Sequence, residues 1–254
     1  MTNILLSGYF GAMGQTILNL IMADENSNIK IVCGYDIRPN DGHQDPLFPV
    51  YTDLLNVRET ANVIIDFSHP SALENVLNFA IKTKTPAVIC TTGLSPEQVK
   101  LIEKAASDIP VFYSANMSIG VSLIIDLCCK ATKVLQDGFD IEIVEKHHNQ
   151  KVDAPSGTAL AIADAISKEL EFAPIYTFDR HSVRKKREKA EIGIHAIRGG
   201  TIVGEHSIIF AGRDEVIEIK HSAASKEVFA VGAVRAAEFL KDKSAGFYNM
   251  KDLI

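Results

Sequence analysis

Short apolar runs alternate with polar turns and amphipathic stretches through the first half of the chain. Each run is followed by a turn rich in Gly, Ser or Thr, and most turns lead into a segment with apolar residues at helical spacing. Continuous apolar runs are typical of strands buried on both faces, so the repeated order of strand, turn and helix predicts a doubly wound parallel sheet of the α/β class. The predicted strands occupy residues 4–7, 29–36, 63–67, 87–90 and 111–113.

The pattern changes after residue 118. Apolar and polar residues then alternate with a period of two in several segments, which is typical of antiparallel strands with one buried face. These segments, at 139–144, 192–198, 203–210 and 215–221, lie between a helix predicted over 119–135 and a final helix predicted over 229–240. We expect a second, α+β domain with a mixed, largely antiparallel sheet over 119–227. The first domain is then expected to comprise 1–118 together with 228–254.

The first predicted turn carries three glycines between a strand and a helix. Gly8, Gly11 and Gly14 give the spacing G-x-x-G-x-x-G, with Phe10 where the commoner dinucleotide-binding pattern has glycine. Glycines at such a turn let a pyrophosphate approach the N-terminus of the following helix. The turn therefore predicts a dinucleotide site on a Rossmann-like domain, and a purely structural turn is the alternative.

The end of the next strand bears on the choice of cofactor. Asp36 stands where an acid would bind the ribose 2′-hydroxyl of NAD, and Arg38 could pair with the 2′-phosphate of NADP. The two residues favour opposite cofactors, so both NADH and NADPH remain open, and a solvated turn is the plain alternative. The following segment, 40–50, is predicted to be a loop with His43 on its surface.

Polar turns follow three further predicted strands at corresponding places. They are Ser68-His69-Pro70, Thr91-Thr92-Gly93 and Ser114-Ala115-Asn116-Met117. Ligands of doubly wound folds bind at the carboxyl ends of the strands, so these turns are expected to face one crevice. Each of them alone is compatible with ordinary turn chemistry.

The densest chemistry lies in the segment 145–159, which joins a predicted strand to a predicted helix. It carries His147, His148 and Lys151, followed by a helix start at Ser156-Gly157-Thr158. A helix N-terminus binds carboxylate or phosphate, Ser156 or Thr158 could cap it, and Gly157 allows close approach. Together these groups suit a small anionic substrate that is protonated during reaction. A capped helix after a solvated loop is the alternative.

Composition and charge exclude several classes of protein. The chain of 254 residues is 46% apolar and 23% charged, which is ordinary for a globular protein. No apolar run is long enough to span a bilayer, and no secretory signal pattern is seen, so we expect a cytoplasmic protein without membrane contact. The formal net charge of −6 argues against nonspecific nucleic-acid binding.

Two further groups of residues are given plain interpretations. The four cysteines, Cys33, Cys90, Cys128 and Cys129, have no metal-binding spacing, so reduced thiols and no metal site are expected. The segment 177–189 is rich in Arg and Lys and is predicted to be a solvated basic loop. Its alternative role is to lend positive potential to a neighbouring anionic site.

The segment 145–159, of the form E-x-H-H-x-x-K-x-D-A-P-S-G-T-A, closely resembles the signature of the 4-hydroxy-tetrahydrodipicolinate reductase family. Other matches, which extend the resemblance over nearly the whole chain, are the glycine turn, Asp66-Phe67-Ser68, Thr91-Thr92-Gly93, Ala115-Asn116, Arg198-Gly199-Gly200 and Val203-Gly204-Glu205-His206. The resemblance implies an NAD(P)H-dependent reduction in lysine and diaminopimelate biosynthesis. It also implies a nucleotide-binding first domain, and a second domain that binds substrate and builds a homotetramer.

The resemblance also implies roles for individual residues. His147 is the implied general acid, and Lys151 the second residue that handles the proton and stabilises charge. The implied contacts to the substrate carboxylates are His148, Lys151, Ser156, Gly157 and Thr158. The implied and predicted cofactor contacts are Gly8, Tyr9, Phe10, Gly11, Ala12, Met13, Asp36, Arg38, Cys90, Thr91, Thr92, Ser114, Ala115, Asn116 and Met117. Cys90 departs from the family, in which many members have Gly.

The expected chemistry agrees with these residue types. A hydride reaches a carbon of a conjugated cyclic imine as water leaves, so the product must be protonated. A histidinium can give that proton, and an ammonium can stabilise the developing charge. Two alternatives stay open: another NAD(P)-dependent oxidoreductase acting on a different small acid, and a regulatory protein that senses nucleotides without catalysis. His147 and His148 are adjacent, and only the resemblance says which is the acid.

Overall fold

The computed structural model describes residues 1–24, 28–39 and 47–254. His43 and most of the predicted loop 40–50 lie outside these residues. The chain forms two compact units, of which the first comprises Met1–Ile119 and Lys226–Ile254 and the second Gly120–Ser225.

The described elements follow one another in this order: β1 (Thr2–Ser7), α1 (Ala12–Ala23), β2 (Ile29–Tyr35), β3 (Val50–Tyr51), β4 (Val63–Asp66), α2 (Leu73–Thr83), β5 (Ala87–Ile89), α3 (Pro96–Ala105), β6 (Pro110–Tyr113), α4 (Ile119–Leu135), β7 (Asp140–His147), α5 (Gly157–Ser167), β8 (Ile175–Thr177), β9 (Glu191–Arg198), β10 (Gly204–Ala211), β11 (Val216–Ala223), α6 (Glu227–Leu240) and β12 (Gly246–Tyr248). Single turns of 3₁₀ helix lie at Leu54–Asn56, Pro70–Ala72 and Met250–Asp252.

The first unit is built on a parallel sheet in the order β12-β6-β5-β4-β1-β2-β3. All of its strand pairs are parallel, and every residue of β4 and β5 is buried. Val63 and Ile65 belong to one apolar core, while Ile64 belongs to another on the opposite face. Successive side chains of a strand point to opposite faces, so two-sided burial explains the unbroken apolar runs. The predicted doubly wound parallel sheet is confirmed.

Helix α6 packs on the first unit through small side chains. Ala230, Ala233, Ala236 and Ala237 are all fully buried, and α6 lies against α1. Gly232 faces the backbone carbonyl oxygen of Met117, which would collide with any Cβ at that position. Close approach of this helix therefore fixes the segment around Met117, which follows β6.

The second unit is built on a mixed sheet in the order β11-β10-β7-β9-β8. The predicted mixed sheet is confirmed, but the prediction of an antiparallel strand over 192–198 is wrong. β10 pairs antiparallel with β7 and β11, whereas β9 pairs in parallel with β7 and with the short β8. The connection from β7 to β9 passes through α5, and a helical crossover returns the chain in the same direction. Among the described strands of this second sheet, two pairs are thus antiparallel and two are parallel.

One face of this second sheet is covered by α4 and α5. Burial alternates strictly along β7, and Ile141 and Ile143 join Ile124 and Cys128 of α4 and Ile162 of α5 in one core. The same alternation puts Glu145 and His147 among the buried positions of β7. The strand therefore carries two ionisable side chains at its end on the face that is otherwise apolar.

Two arginines of the basic segment 177–189, Arg180 and Arg187, are bound to this sheet, so the prediction of a solvated loop is wrong for these two residues. Arg184 is exposed, as predicted. Arg187 donates to Glu142 at 3.0 Å, to Asp140 at 2.8 Å and to the carbonyl of Ile141 at 3.1 Å. Arg180 pairs with the buried carboxylate of Glu191. Carboxylates of β7, more than 40 residues away in sequence, and of β9 therefore neutralise the charges of Arg187 and Arg180.

Candidate active site

The glycine turn after β1 is held by close backbone contacts. Gly8 has a φ of +81°, and a Cβ there would lie 2.5 Å from the carbonyl oxygen of Phe67. A Cβ on Gly14 would collide with the carbonyl oxygen of Gly8, and the side chain of Gln15 donates to the carbonyl of Tyr9 at 2.7 Å. These two glycines are therefore required by the fold of the turn itself.

The same turn fits a pyrophosphate. Gly11 is the N-cap of α1 and offers no side-chain hydrogen bond to the helix. A helix start without a side-chain cap keeps its N–H groups for an anion. Ala12 is exposed and Met13 half-buried, so the start of the helix is accessible within the first unit. Gly8, Gly11, Ala12 and Met13 thus lie together as predicted, with Tyr9 and Phe10 buried beneath them.

Asp36 fastens the end of β2 to this turn. Its carboxylate accepts hydrogen bonds from the N–H of Phe10 at 3.0 Å, and from the backbone N–H, Nε and Nη2 of Arg38 at 3.0, 3.1 and 3.2 Å. Burial acts to raise the pKa of Asp36, but the bonds from Arg38 and Phe10 outweigh it and hold the pKa below its usual range. Asp36 is only 3% exposed, so the alternative of a solvated turn is wrong for this residue.

Asp66 joins the ends of three strands and was missed as a site residue. Its carboxylate accepts from the hydroxyl of Ser7 at 2.6 Å, the hydroxyl of Thr91 at 2.7 Å and the N–H of Ser68 at 3.3 Å. Complete burial raises its pKa despite these bonds. The available signal was an acidic residue that ends an otherwise apolar strand. Asp66 thereby holds the carboxyl edge of β1, β4 and β5 together.

The turns after β5 and β6 present the other predicted cofactor residues. Thr91 is buried against Asp66, while Thr92 and Ala115 are exposed. Cys90 is buried, and burial raises the pKa of its thiol well above the usual value, so only its backbone is available to a ligand. Ser114 and Asn116 bond to each other, with the Ser114 hydroxyl donating to the Asn116 carbonyl at 2.7 Å. The side chains of this turn therefore shape the loop itself.

In the second unit, Glu145 and His147 form a buried pair at the end of β7. His147 Nδ1 lies 2.7 Å from Oε2 of Glu145, which is fully buried. Arg198 of β9 donates to both oxygens of the same carboxylate at 2.7 Å. Glu145 and Arg198 were not among the predicted site residues, although both lie in segments that carry the family resemblance.

Ser156 caps α5 and links it to two other elements. Its Oγ accepts from the N–H of Ala159 at 3.2 Å, and its own N–H donates to Oε1 of Glu145 at 3.0 Å. His206 of β10 lies 3.1 Å from the same hydroxyl, and its ring meets that of His147 edge to face at 5.3 Å. Ser156 is therefore the cap, and its hydroxyl is engaged inside the protein.

The outer part of the loop carries the remaining predicted substrate contacts. Lys151 Nζ pairs with Asp153 Oδ1 at 2.9 Å, and His148 and Thr158 are half-buried. Gly157 is exposed, and apart from its chain neighbours and the backbone of its own helix no described residue lies within 4 Å of a Cβ placed there. Packing in the described part of the chain does not explain glycine at this helix start, whereas close approach of a ligand carboxylate does.

His206 gives the fold a dependence on acid. Burial first, and then the neighbouring His147, lower the pKa of His206 to about 4. The unfolded chain binds a proton there below about pH 6.5, so stability is lost as the pH falls from 6.5 towards 4, by about 3 kcal/mol in total. In urea titrations across this range, His206→Gln should show a smaller loss of unfolding free energy than the parent protein. His181→Gln, at an exposed histidine, is the control, and equal slopes for all three proteins would contradict the assignment.

Two family models together match nearly the whole chain. The one described as dihydrodipicolinate reductase, N-terminus, matches residues 2–117, and the one described as dihydrodipicolinate reductase, C-terminus, matches residues 120–254. The chain belongs to the dihydrodipicolinate reductase family. The resemblance carried by the segment 145–159 is therefore confirmed.

Relatives in the dihydrodipicolinate reductase family align over the full length. The 4-hydroxy-tetrahydrodipicolinate reductase of Caldanaerobacter subterraneus subsp. tengcongensis is 51% identical over 255 residues, covering 100% of this chain and 98% of the relative. The enzyme of the same name from Clostridium novyi is 45% identical over 254 residues, with the same coverage of 100% and 98%.

Solved structures agree on the fold. Dipicolinate-bound dihydrodipicolinate reductase from Paenisporosarcina sp. TG-14 aligns with a TM-score of 0.81 at 23% identity over 100% of both chains. DAP dehydrogenase of C. glutamicum, in complex with DAP, aligns with a TM-score of 0.56 at 13% identity over 98% of this chain and 92% of that one. Among the described residues, no helix is long and apolar enough to cross a bilayer.

Proposed function

We propose that this chain catalyses the NAD(P)H-dependent reduction of 4-hydroxy-tetrahydrodipicolinate to tetrahydrodipicolinate with loss of water, in lysine and diaminopimelate biosynthesis. Full-length identity of 51% to a reductase of that name supports the reaction. The single structural observation that carries the proposal is the His147 ring, fixed by a buried carboxylate beside the loop of Lys151 and the open start of α5. This arrangement offers a proton donor and anion contacts to one small acid.

The first unit is proposed to bind the nucleotide. A bound nicotinamide supplies a hydride. The uncapped start of α1 holds the pyrophosphate, with Gly8, Tyr9, Phe10, Gly11, Ala12 and Met13 forming the turn. Backbone groups of Cys90, Thr91 and Thr92 and of Ser114, Ala115, Asn116 and Met117 form the rest of the site. Their positions are fixed by Asp66 and by the bonds within the second turn.

The second unit is proposed to bind the dicarboxylate and to supply the proton. His148, Lys151, Gly157 and Thr158 bind carboxylate oxygens, and Ser156 holds the helix start that presents them. His147 transfers a proton to the reduced ring system, and the Lys151 ammonium stabilises the negative charge that develops before that transfer. The bland alternative of a capped helix after a solvated loop leaves the buried Glu145–His147 pair unexplained.

Use of both NADH and NADPH is proposed from the pairing of Asp36 with Arg38. Asp36 receives four hydrogen bonds, and a carboxylate has about four acceptor sites, so the sites of Asp36 are filled. A ribose 2′-hydroxyl must therefore displace Arg38, whereas a 2′-phosphate can pair with its guanidinium, whose side chain is 59% exposed. Each cofactor gains one partner of the pair, so neither is excluded.

Arg38→Ala tests this account of the cofactor. The variant should raise the KM for NADPH about tenfold, because it loses a charge-assisted bond to the 2′-phosphate. The KM for NADH should stay the same or fall, because the 2′-hydroxyl no longer has to displace the guanidinium from Asp36. Steady-state rates with each cofactor at saturating substrate measure both constants. Arg58→Ala, at another exposed arginine of the first unit, is the matched control. An equal rise for both cofactors would contradict the assignment.

A homotetramer and a cytoplasmic location are part of the same proposal and rest on the family resemblance. Light scattering coupled to gel filtration tests the first, since a tetramer has four times the chain mass of 27.7 kDa. A monomer that is fully active would refute it. Fractionation of cells tests the second, and activity confined to a membrane fraction would refute that.

The decisive experiment is oxidation of NADH and NADPH with freshly prepared substrate, made from pyruvate and aspartate semialdehyde. The proposal predicts cofactor oxidation that depends on that substrate and is largely lost in His147→Gln. Another oxidoreductase of small acids would leave this substrate untouched, and a nucleotide-sensing regulator would bind cofactor without oxidising it. Either result with correctly folded protein would overturn the proposed function.

A further inference from the structure

We infer that Glu145 and Arg198 are positioning residues for the acid: they hold the His147 ring so that Nδ1 donates to Glu145 and the transferred proton sits on Nε2. This inference rests on the proposed role of His147, and it adds two residues to which no role was assigned. It is built on the contacts of one carboxylate that connects β7, β9 and the loop before α5.

The carboxylate of Glu145 is fully buried and saturated with hydrogen bonds. It receives hydrogen bonds from His147 Nδ1 at 2.7 Å, from Nη1 and Nη2 of Arg198 at 2.7 Å each, and from the N–H of Ser156 at 3.0 Å. Burial acts to raise the pKa of Glu145, but the bonds from Arg198, His147 and Ser156 prevail and hold the pKa below its usual range. An ionised carboxylate only accepts hydrogen bonds, so Nδ1 of His147 must be the donor.

The remaining ring nitrogen, Nε2, lies beside a glycine. A Cβ placed on Gly204 of β10 would come within 3.1 Å of His147 Nε2, so a larger residue at 204 would press on that atom. With Nδ1 committed to Glu145, Nε2 is the nitrogen that can gain and lose the proton. A fixed tautomer and ring orientation are what a carboxylate partner provides to an acid–base histidine.

Arg198 reduces the negative charge that Glu145 presents to the His147 ring. Its guanidinium neutralises the carboxylate, and Nη2 also donates to the carbonyl of Asp153 at 2.7 Å, so Arg198 ties β9 to the loop that carries Lys151. The charged and titratable neighbours of His147 are then Glu145 on β7, Arg198 on β9 and His206 on β10. Lys151, paired with Asp153 on the loop, and His221 on β11 act electrostatically on His206. His206 stays neutral near pH 7, since burial lowers its pKa to about 4. Glu145 is therefore the anion in contact with His147, and Arg198 neutralises part of its charge.

A purely structural role is the competing explanation. A buried ion pair that joins two strands and a loop would also lower activity when it is broken, because an unpaired buried charge disturbs the fold. Such damage reduces the amount of active protein without changing the pH at which the active protein loses its proton. If Glu145 and Arg198 instead act on His147 through their charges, substitution of the acid and substitution of the base must shift that pH in opposite directions.

The pH dependence of kcat in Glu145→Gln and Arg198→Met separates these explanations. Glutamine keeps an acceptor for Nδ1 but removes the charge, so kcat should fall about tenfold, and the loss of rate at high pH should begin about one pH unit lower. Arg198→Met leaves the Glu145 charge unopposed, so the same loss should begin at higher pH. Arg198→Lys, which keeps the charge, should restore most of the parent profile.

Glu142→Gln is the matched control, because Glu142 lies on the same strand and is paired with a histidine, His195 at 2.9 Å, and with Arg187 at 3.0 Å. It should leave the pH profile in place whatever it does to the amount of folded protein. If Glu145→Gln and Arg198→Met lower kcat without moving the profile, the pair is structural and the inference is wrong.

A measurement on the unaltered protein is independent of folding of the variants and of turnover. Nitrogen-15 NMR of the histidine rings, with His147 assigned by comparison with His147→Gln, should show Nδ1 of His147 protonated when the ring is neutral. Protonation at Nε2 alone would overturn the inference. If the unaltered protein shows this tautomer but oxidises no cofactor with the substrate, the proposed function fails while the ring geometry stands.

Discussion

Replacing His147 by glutamine should lower kcat by about two to four orders of magnitude and leave the dissociation constant of NADH unchanged. Glutamine has no proton to give at neutral pH, but its amide can still donate to Glu145, so the local fold is kept. The histidine lies in the second unit, whereas the predicted nucleotide contacts lie in the first. Steady-state turnover gives kcat, and fluorescence titration of the cofactor gives the dissociation constant.

His148→Gln is the adjacent comparison. His148 follows β7, is half-buried, and is proposed to contact a substrate carboxylate, so its loss should act mainly on the KM for substrate. A larger fall in kcat for His148→Gln than for His147→Gln would mean that His148, and not His147, is the acid. A collapse of NADH affinity in His147→Gln with a normal residual rate would exclude the acid role altogether.

The parallel sheet was predictable because its strands are buried on both faces. Every residue of β4 and β5 is buried, so the apolar runs are unbroken and the turns between them are easy to locate. The orientation of β9 was not predictable in this way, since alternation records which face is buried and not the direction of the neighbour. β3, β8 and β12 were missed because two or three residues are too few to show a period.

The periodicity of β7 distinguishes His147 from His148. In β7 the positions Ile141, Ile143, Glu145 and His147 alternate with half-buried ones, so period two places His147 on the buried face. Glu145 lies two positions before it on the same face and is its hydrogen-bond partner. Strand periodicity thus points to His147 as the ring with a fixed partner, independently of the family resemblance.

The other partners in the site could not be found from local pattern. Arg198 is separated by 53 residues from Glu145, and His206 by 50 residues from Ser156, and these contacts arise because β9 and β10 flank β7. Asp66 likewise meets Ser7 and Thr91 only because β1, β4 and β5 are neighbours in the first sheet. Sheet order, which one sequence does not specify, decides these contacts.

Lys151→Ala should lower kcat/KM roughly thirtyfold or more, which corresponds to a loss of about 2 kcal/mol of transition-state stabilisation. It should both lower kcat and raise the KM for substrate. The ammonium is proposed both to bind a substrate carboxylate and to stabilise charge in the transition state, and a group with both roles affects both constants. Without substrate, Lys151 pairs with Asp153 at 2.9 Å. This hydrogen bond has the largest effect on the pKa of Asp153 and holds it below its usual range. A substrate carboxylate must therefore replace Asp153 as the partner of the Lys151 ammonium.

The loss should come from the reaction and not from unfolding. The Asp153 side chain is 58% exposed, so water solvates its carboxylate once Lys151 is gone, and exposed ion pairs contribute little to stability. Lys146→Ala is the matched control, since Lys146 of β7 pairs with Glu205 of β10 at 3.3 Å but has no proposed contact with substrate. Urea midpoints should be close for both variants, whereas only Lys151→Ala should lose kcat/KM. An unchanged rate for Lys151→Ala would remove Lys151 from the mechanism and leave the α5 start and His148 as the carboxylate contacts.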